Sequence, residues 1–366
     1  MGWVSLIPMR AITGKLACAI PVLMGLAALP PAANSLGKSA RQAASTRPVP
    51  AASPFVDVHV HLDPANFSNS LRSALDAMAG ENAAKLVLMP PPFTTDDPAR
   101  YDADRILPRI NGYSDKFAVL GGGGTLNAMI HQSVASGDPG LEVRRRFKEQ
   151  AEGLFRAGAA GFGELAAEHF AGATPYQSAP PDHPLFLLLA DVAAEHGVPV
   201  DLHMEAVVES RPIPAGLKSP PNPPRLRANI AEFERLLEHN PRARIIWAHA
   251  GWDNTGDRTP GLCRRLLAAH PNLYMDVKID PANPGLNSPL TDGGRGTIEP
   301  EWLQLFKDFP DRFVVGTDQH YPEPLPGPQR WQAAVLLLNQ LPAELQRKFG
   351  KENAAKLYTE RTLRAP

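Results

Sequence analysis

Phe55-Val-Asp-Val-His-Val-His61 alternates along its length and ends in two histidines, His59 and His61, separated by one apolar residue. The β-branched residues suit a strand, and on a strand residues two apart point to the same face. Both imidazoles can therefore converge on one point, which is how a metal ion is gripped. A His-X-His pair alone is equally compatible with solvated or core-packed side chains. Its weight comes from later strand-like runs that also end in His, Asp or Glu.

Working outward from Phe55, short β-branched runs bounded by Gly and Pro alternate with amphipathic segments. The strand candidates are Phe55–Val60, Lys85–Met89, Phe117–Leu120, Gly161–Leu165, Val198–His203, Arg244–His249, Leu273–Ile279 and Phe313–Thr317. Helices are expected between them over Ser70–Gly80, Ala103–Asn111, Glu142–Ala157, Leu185–His196, Ile230–His239, Gly261–Ala269 and Pro300–Phe309. Two more, Arg330–Leu341 and Lys351–Thr362, follow the last strand. Eight strand–helix alternations predict an α/β protein, a (β/α)8 TIM barrel forming a single catalytic domain over residues 54–366. A doubly wound open sheet is the alternative that periodicity does not separate.

Barrel sites lie at the C-terminal ends of the strands, and that is where the polar residues fall. His59 and His61 end the first strand, Glu164 the fourth, His203 the fifth, His249 the sixth and Asp318 the eighth, with Asp276 inside the seventh. Any one of them could be a histidine satisfied by a backbone carbonyl or an aspartate capping the next helix. Six at matching strand ends argue for a shared purpose. Irregular, Pro-rich stretches at Thr174–Pro184, Arg211–Arg225 and Asp280–Pro300 are predicted on the same face, as pocket walls or as plain surface insertions. Gly121–Gly124 lacks the Lys-Ser/Thr of a phosphate loop and reads as close backbone packing.

The 366 residues suffice for one large domain, and the formal net charge of −1 argues against a polyanion-binding surface, so no nucleic-acid partner is expected. Residues 1–34 read as an export signal, with Arg10 and Lys15 ahead of the apolar run Leu16–Leu29, too short for a confident membrane span. Residues 35–53, rich in Ala, Ser, Arg and Pro, read as a flexible linker. The expected destination is the periplasm or the extracellular space, without stable membrane insertion once the signal is removed. Cys18 lies in the apolar run, which leaves Cys263 alone in the mature chain and reads as packed rather than nucleophilic. Nothing in the sequence sets the oligomeric state.

In this order the residues resemble the amidohydrolase superfamily, within it the amidohydrolase-related metal-dependent hydrolases and decarboxylases. The resemblance spans about residues 55–362 and rests on His-X-His in strand one, His in strands five and six and Asp in strand eight. The closing Glu352-Asn-Ala-Ala-Lys-Leu-Tyr358 is also similar to that group's C-terminal helix. The resemblance implies that His59, His61, His203 and Asp318 are primary metal ligands. It implies that His249 orients water or substrate, or binds a second metal. Glu164 stands where two-metal members carry a bridging group, so the site takes one ion if Glu164 binds substrate and two if it bridges.

Three imidazoles and a carboxylate suit zinc, with Mn²⁺, Fe²⁺ and Ni²⁺ compatible. The expected chemistry is water activated on a divalent metal to cleave an ester, lactone or amide of a small molecule, with Asp318 and His249 catalytic. Decarboxylation on the same ligands is the alternative chemistry, and a metal-stabilised binding protein without turnover the alternative of another class. A nuclease is a further, weaker idea. Trp252 is a candidate to stack on a substrate ring or to pack against its loop. Lys278 and Arg295 are candidates to bind a substrate carboxylate or to be solvated charge. Glu205 and His320 adjoin ligand positions as candidate orienters.

Overall fold

The computed structural model describes residues 53–358 apart from 135, 172–174, 219–221, 279–289, 293–295 and 323–329. The expected export signal and linker, and the substrate candidate Arg295, lie outside the described residues. Eight strands carry the fold: β1 (Phe55–Leu62), β2 (Ala83–Leu88), β3 (Phe117–Val119), β4 (Phe162–His169), β5 (Pro199–Met204), β6 (Arg244–Ala250), β7 (Leu273–Val277) and β8 (Phe313–Val315). Each pairs in parallel with the next, and β8 returns to β1 through Asp57 and Val315.

The ring closes through β3. Its residues pair with Leu86–Leu88, and after Leu120 the chain continues as Gly121–Gly122, paired with Phe162–Gly163 of β4. Leu120 donates its N–H to the Leu88 carbonyl and Gly121 to that of Gly161. A right-twisted sheet of eight parallel strands joined by helices closes in this way, as the alternation predicts. The open doubly wound sheet is thereby set aside.

The outer layer is amphipathic helix. Ile230–His239 buries Ile230, Phe233, Leu236 and Leu237, spaced three and four apart, against the sheet. Pro260–Ala269 starts where Thr259 accepts a hydrogen bond from Leu262 N and Pro260 supplies the first helical φ. Pro184–His196 stops at Gly197, whose φ of 65° is the left-handed turn glycine tolerates. Two helices were not foreseen, Leu126–Val134 after β3 and Ala343–Arg347 after β8. The expected closing helix Lys351–Thr362 is in the described residues a π turn, Lys348–Glu352, running into Asn353–Leu357.

Two apolar layers sit on the two faces of the barrel wall. Val56, Val58, Ala118, Leu120, Ile246 and Val314 cluster with Ala354, Leu357 and Tyr358 of the C-terminal segment. Phe55, Val60 and Leu62 belong instead to the large cluster between strands and helices. The side of β1 therefore switches between Val58 and Val60, where its pairing with β2 shifts register between Asp57 and Val60. This bulge places His59 and His61 above the apolar filling rather than in it.

The glycine run after β3 is close packing, as expected. A Cβ on Gly123 would lie 2.4 Å from the Pro90 carbonyl oxygen, and one on Gly124 1.8 Å from that of Tyr101. Strands β2 and β3 can thus bring their following loops together at the top of the barrel.

Candidate metal centre

The bulged end of β1 sets two imidazoles edge to edge, with His59 Nε2 3.2 Å from His61 Nε2. His61 Nδ1 lies 2.9 Å from the Met89 carbonyl, which only accepts, so Nδ1 carries the proton and Nε2 presents a lone pair. Burial, with His320 beside it, lowers the His61 pKa to about 4 and keeps it a neutral donor. The end of β8 is tied to the same place. Asp57 accepts from Thr317 N at 3.0 Å and Thr317 Oγ1 at 2.6 Å, and Asp318 N donates to the His59 carbonyl. Asp318 Oδ1 then stands 3.2 Å from His61 Nε2 and 4.0 Å from His59 Nε2.

Glu164 occupies the centre, and its two oxygens face two different histidine pairs. Oε2 lies 3.6 Å from His59 Nε2 and 3.4 Å from His61 Nε2. Oε1 lies 2.9 Å from His203 Nδ1 and 3.5 Å from His249 Nε2. Burial works against its charge, but the surrounding imidazoles outweigh it and hold the carboxyl well below the usual range. The structure thus brings together all six residues expected at the metal. His203, expected beside His59, His61 and Asp318, faces the other oxygen of Glu164 instead.

The donor chemistry fits a divalent ion. His59, His61 and Asp318 form one group whose ligand atoms lie within 4.8 Å of one another, and His59, Glu164 and His249 form another. Both His249 ring nitrogens are buried without a hydrogen-bond partner. Buried ring nitrogens in that state, close to the Glu164 and Asp276 carboxylates, fit a residue that binds a metal ion. Burial, with Lys278 nearby, lowers the His249 pKa, so the ring is a neutral donor.

Beneath this group lies a support that sequence reading mostly missed. His59 Nδ1 is 3.4 Å from Asp201 Oδ1 and 3.4 Å from Asp276 Oδ2, and both aspartates are fully buried. Asp276 Oδ1 also accepts from His249 N at 2.6 Å. Carboxylates behind a ligating imidazole fix its tautomer and orientation. Asp201 stands two residues before His203, so the strand alternation that paired His59 with His61 was the available signal. Room for both comes from glycine: a Cβ on Gly163 would lie 2.8 Å from Asp201 Cβ, and one on Gly316 2.5 Å from Asp276 Cγ.

Above this group opens a pocket of about 320 Å³, lined among others by His61, Glu164, His203, Trp252, Lys278 and Asp318. Lys278 Nζ lies 2.5 Å from Asp318 Oδ2 and 4.3 Å over the Trp252 ring. Trp252 therefore offers one face to a cation rather than to a substrate ring. Arg330, which no motif announced, reaches the same Oδ2 at 2.9 Å. Burial opposes the Asp318 charge, yet Lys278 and Arg330 prevail and hold it well below the usual carboxylate range. His320 stands 3.4 Å from Asp318 Oδ1, and Glu205 lies 3.8 Å from His203 Nε2 while accepting from Asn254 Nδ2. Both expected orienters are thus in reach of ligand positions. Cys263 is buried beneath its helix, its thiol pushed up to about 12 by burial, as befits packing.

The family model described as Amidohydrolase matches residues 56–359, which takes in the eight strands save Phe55, and the whole site. Among solved structures, a mutant of a PTE-like lactonase from Deinococcus radiodurans aligns with a TM-score of 0.51 at 16% identity, covering 85% of this chain and 98% of its own. A dihydroxybenzoic acid decarboxylase from Polaromonas sp. JS666, with bound manganese and 2-nitroresorcinol, aligns with a TM-score of 0.45 at 15% identity, covering 83% of this chain and 96% of its own. At 16% identity the likeness to the lactonase is one of fold. Comparison with curated proteins gives no match.

Proposed function

Since the chain belongs to the amidohydrolase family and is a metal-dependent hydrolase, we propose that it cleaves an ester, lactone or amide bond of a small molecule, and that His59, His61 and Asp318 on one side of Glu164 and His203 and His249 on the other would hold two divalent ions. The observation that carries this is the division of Glu164, one oxygen toward His59 and His61 and the other toward His203 and His249. Asp318 completes the first set. Zinc is the metal this mixture of imidazole and carboxylate suits best.

A divalent ion held there supplies Lewis acidity and makes hydroxide available near neutral pH. The chain's own residues do the rest. Asp318, on the pocket side of the first set, receives the proton of the attacking water and returns it to the leaving group. Asp276 and Asp201 hold the His59 ring from behind, and Asp276 holds the His249 backbone.

The fold of the lactonase neighbour supports a hydrolytic site on this scaffold. A second reading, decarboxylation of an aromatic or unsaturated acid, draws on the cations of Lys278 and Arg330 in the pocket wall; a CO₂ assay separates the two. The deciding experiment is metal content per chain, by elemental analysis, of wild type and Glu164→Gln. Two ions in the wild type and about one in the variant are expected. One ion in both would leave Glu164 for substrate and remove the bridge. We propose in addition that residues 1–34 direct the protein out of the cytoplasm, testable by fractionating cells that express the full chain and one lacking this segment.

A further inference from the structure

His203 and His249 stand where the barrel wall loses its regular pairing. The ladder between β5 and β6 ends at Leu202 and Trp247, one residue before His203 and two before His249. On its other side β6 pairs with β7 through Trp247 and Met275, then resumes only at Ala250 and Val277. Ala248 and His249 form the irregularity between, and His249 takes a φ of 70°. A histidine holds that left-handed conformation only where its surroundings impose it.

The surroundings here are two side chains gripping one peptide unit. The His249 N–H donates to Asp276 Oδ1 at 2.6 Å, and the Ala248 carbonyl, the other end of the same peptide, accepts from Arg258 Nη1 at 2.5 Å. The second arm of the guanidinium, Nη2, donates at 2.5 Å to the carbonyl of Met204, the residue after His203. Trp247 Nε1 donates to that carbonyl too, at 2.8 Å, and its ring lies 4.2 Å beneath the guanidinium carbon. Arg258 is brought in by the loop after β6. Asp253 accepts from Thr255 N and Gly256 N on one oxygen and from Arg258 N on the other.

Arg258 is 3% exposed, and among the described residues it makes no ion pair. A buried cation without a paired carboxylate is costlier than an apolar side chain of similar size. What it gives in return is a rigid planar fork, which reaches two carbonyls on neighbouring strands at once. We propose that Arg258 is a positioning residue for the metal centre: by bridging the Met204 and Ala248 carbonyls it fixes the spacing of His203 and His249 and, with Asp276, the backbone turn of His249. The inference rests on the reading that His203 and His249 would share one ion, and its test separates the two.

A zinc-competition titration compares wild type with Arg258→Met and Arg258→Lys. Arg258→Met should weaken one ion about 10–100-fold, the scale of a lost support behind a ligand, and leave the other unchanged. Arg258→Lys, which can reach one carbonyl but not both, should lose less. In a His61→Ala background, which keeps the ion of His203 and His249, Arg258→Met should weaken binding by the same factor. In a His203→Ala background it should have no effect. A side chain that served packing alone would weaken both ions alike. The crystal structure of the metal-free Arg258→Met protein reads the placement directly, and the His249 ring should shift by about 0.5 Å or more. That shift, found together with a single ion in wild type, would uphold the clamp and sink the two-ion reading alone. If Arg258→Met does not fold, Arg258→Lys carries the test. Ions weakened alike, ions not weakened in either variant, or ligand rings unmoved in the crystal overturn the proposal.

Discussion

Glu164 Oε1 stands 2.9 Å from His203 Nδ1, while its partner oxygen faces His59 and His61 on the far side of the site. One carboxylate thus divides four imidazoles into two pairs. His203→Ala should lose the ion shared with His249 and keep the other, and His61→Ala should do the reverse. Both variants should lose activity by at least about 100-fold, the scale of disrupted metal binding, and keep a far-UV spectrum like wild type. Elemental analysis showing two ions in His203→Ala would refute the division.

Gly316 leaves space for Asp276, whose Cγ would sit 2.5 Å from a new Cβ. Gly316→Ala must push that carboxylate, and with it the support under His59 and the hydrogen bond from His249 N. Metal affinity should fall roughly 10–100-fold, as when a carboxylate behind a ligand is lost. A metal-competition titration tests this. Unchanged affinity would mean that Asp276 does not orient the ligands.

His131 gives a pH signature away from the metal site. Its Nε2 donates to the Ala166 carbonyl at 2.8 Å, and burial lowers its pKa to about 4. The unfolded chain takes up the proton near 6.5 and the folded chain only near 4. Stability from this group is therefore complete above about pH 6.5 and is lost as pH falls toward 4, by at most about 3 kcal/mol. Urea unfolding across pH 4–7 should show a shallower slope in His131→Gln than in wild type. Identical slopes would exclude this linkage.

Phe349 is fully buried between Phe306, 5.0 Å away, and Phe313 of β8, 5.4 Å away. Phe349→Ala should cost about 3–5 kcal/mol of folding stability, a transfer loss plus a cavity. The midpoint in a denaturant titration measures it. A shift worth less than about 1 kcal/mol would show that the C-terminal segment collapses into the gap.

The barrel and its strand ends were legible because period-two alternation and strand-to-helix succession are local properties of the chain. His59 and His61 share a face by alternation alone. The bulge between Asp57 and Val60 was not legible, since a register shift depends on the partner strand. Asp201 was within reach of the same alternation argument from His203. Arg330 was not, because it arrives from beyond β8 and shows no fixed spacing to Asp318. The helix Leu126–Val134 was passed over because Gly121–Gly124 before it signals a loop. That helix still shapes the site's surroundings: Asn127 Oδ1 accepts from Ala166 N, and Asn127 Nδ2 donates to the Phe93 carbonyl.

The pairing of Phe117–Val119 with one neighbour and Gly121–Gly122 with the other has a consequence for how copies of the chain can meet. A ring of strands presents no unpaired row of N–H and C=O groups to recruit a stranger's strand. Addition of a ninth strand is closed to the eight-stranded wall of the described residues. Among the described residues, backbone pairing with another copy is left to short strands outside the wall, such as Arg211–Pro212 and Arg225–Leu226.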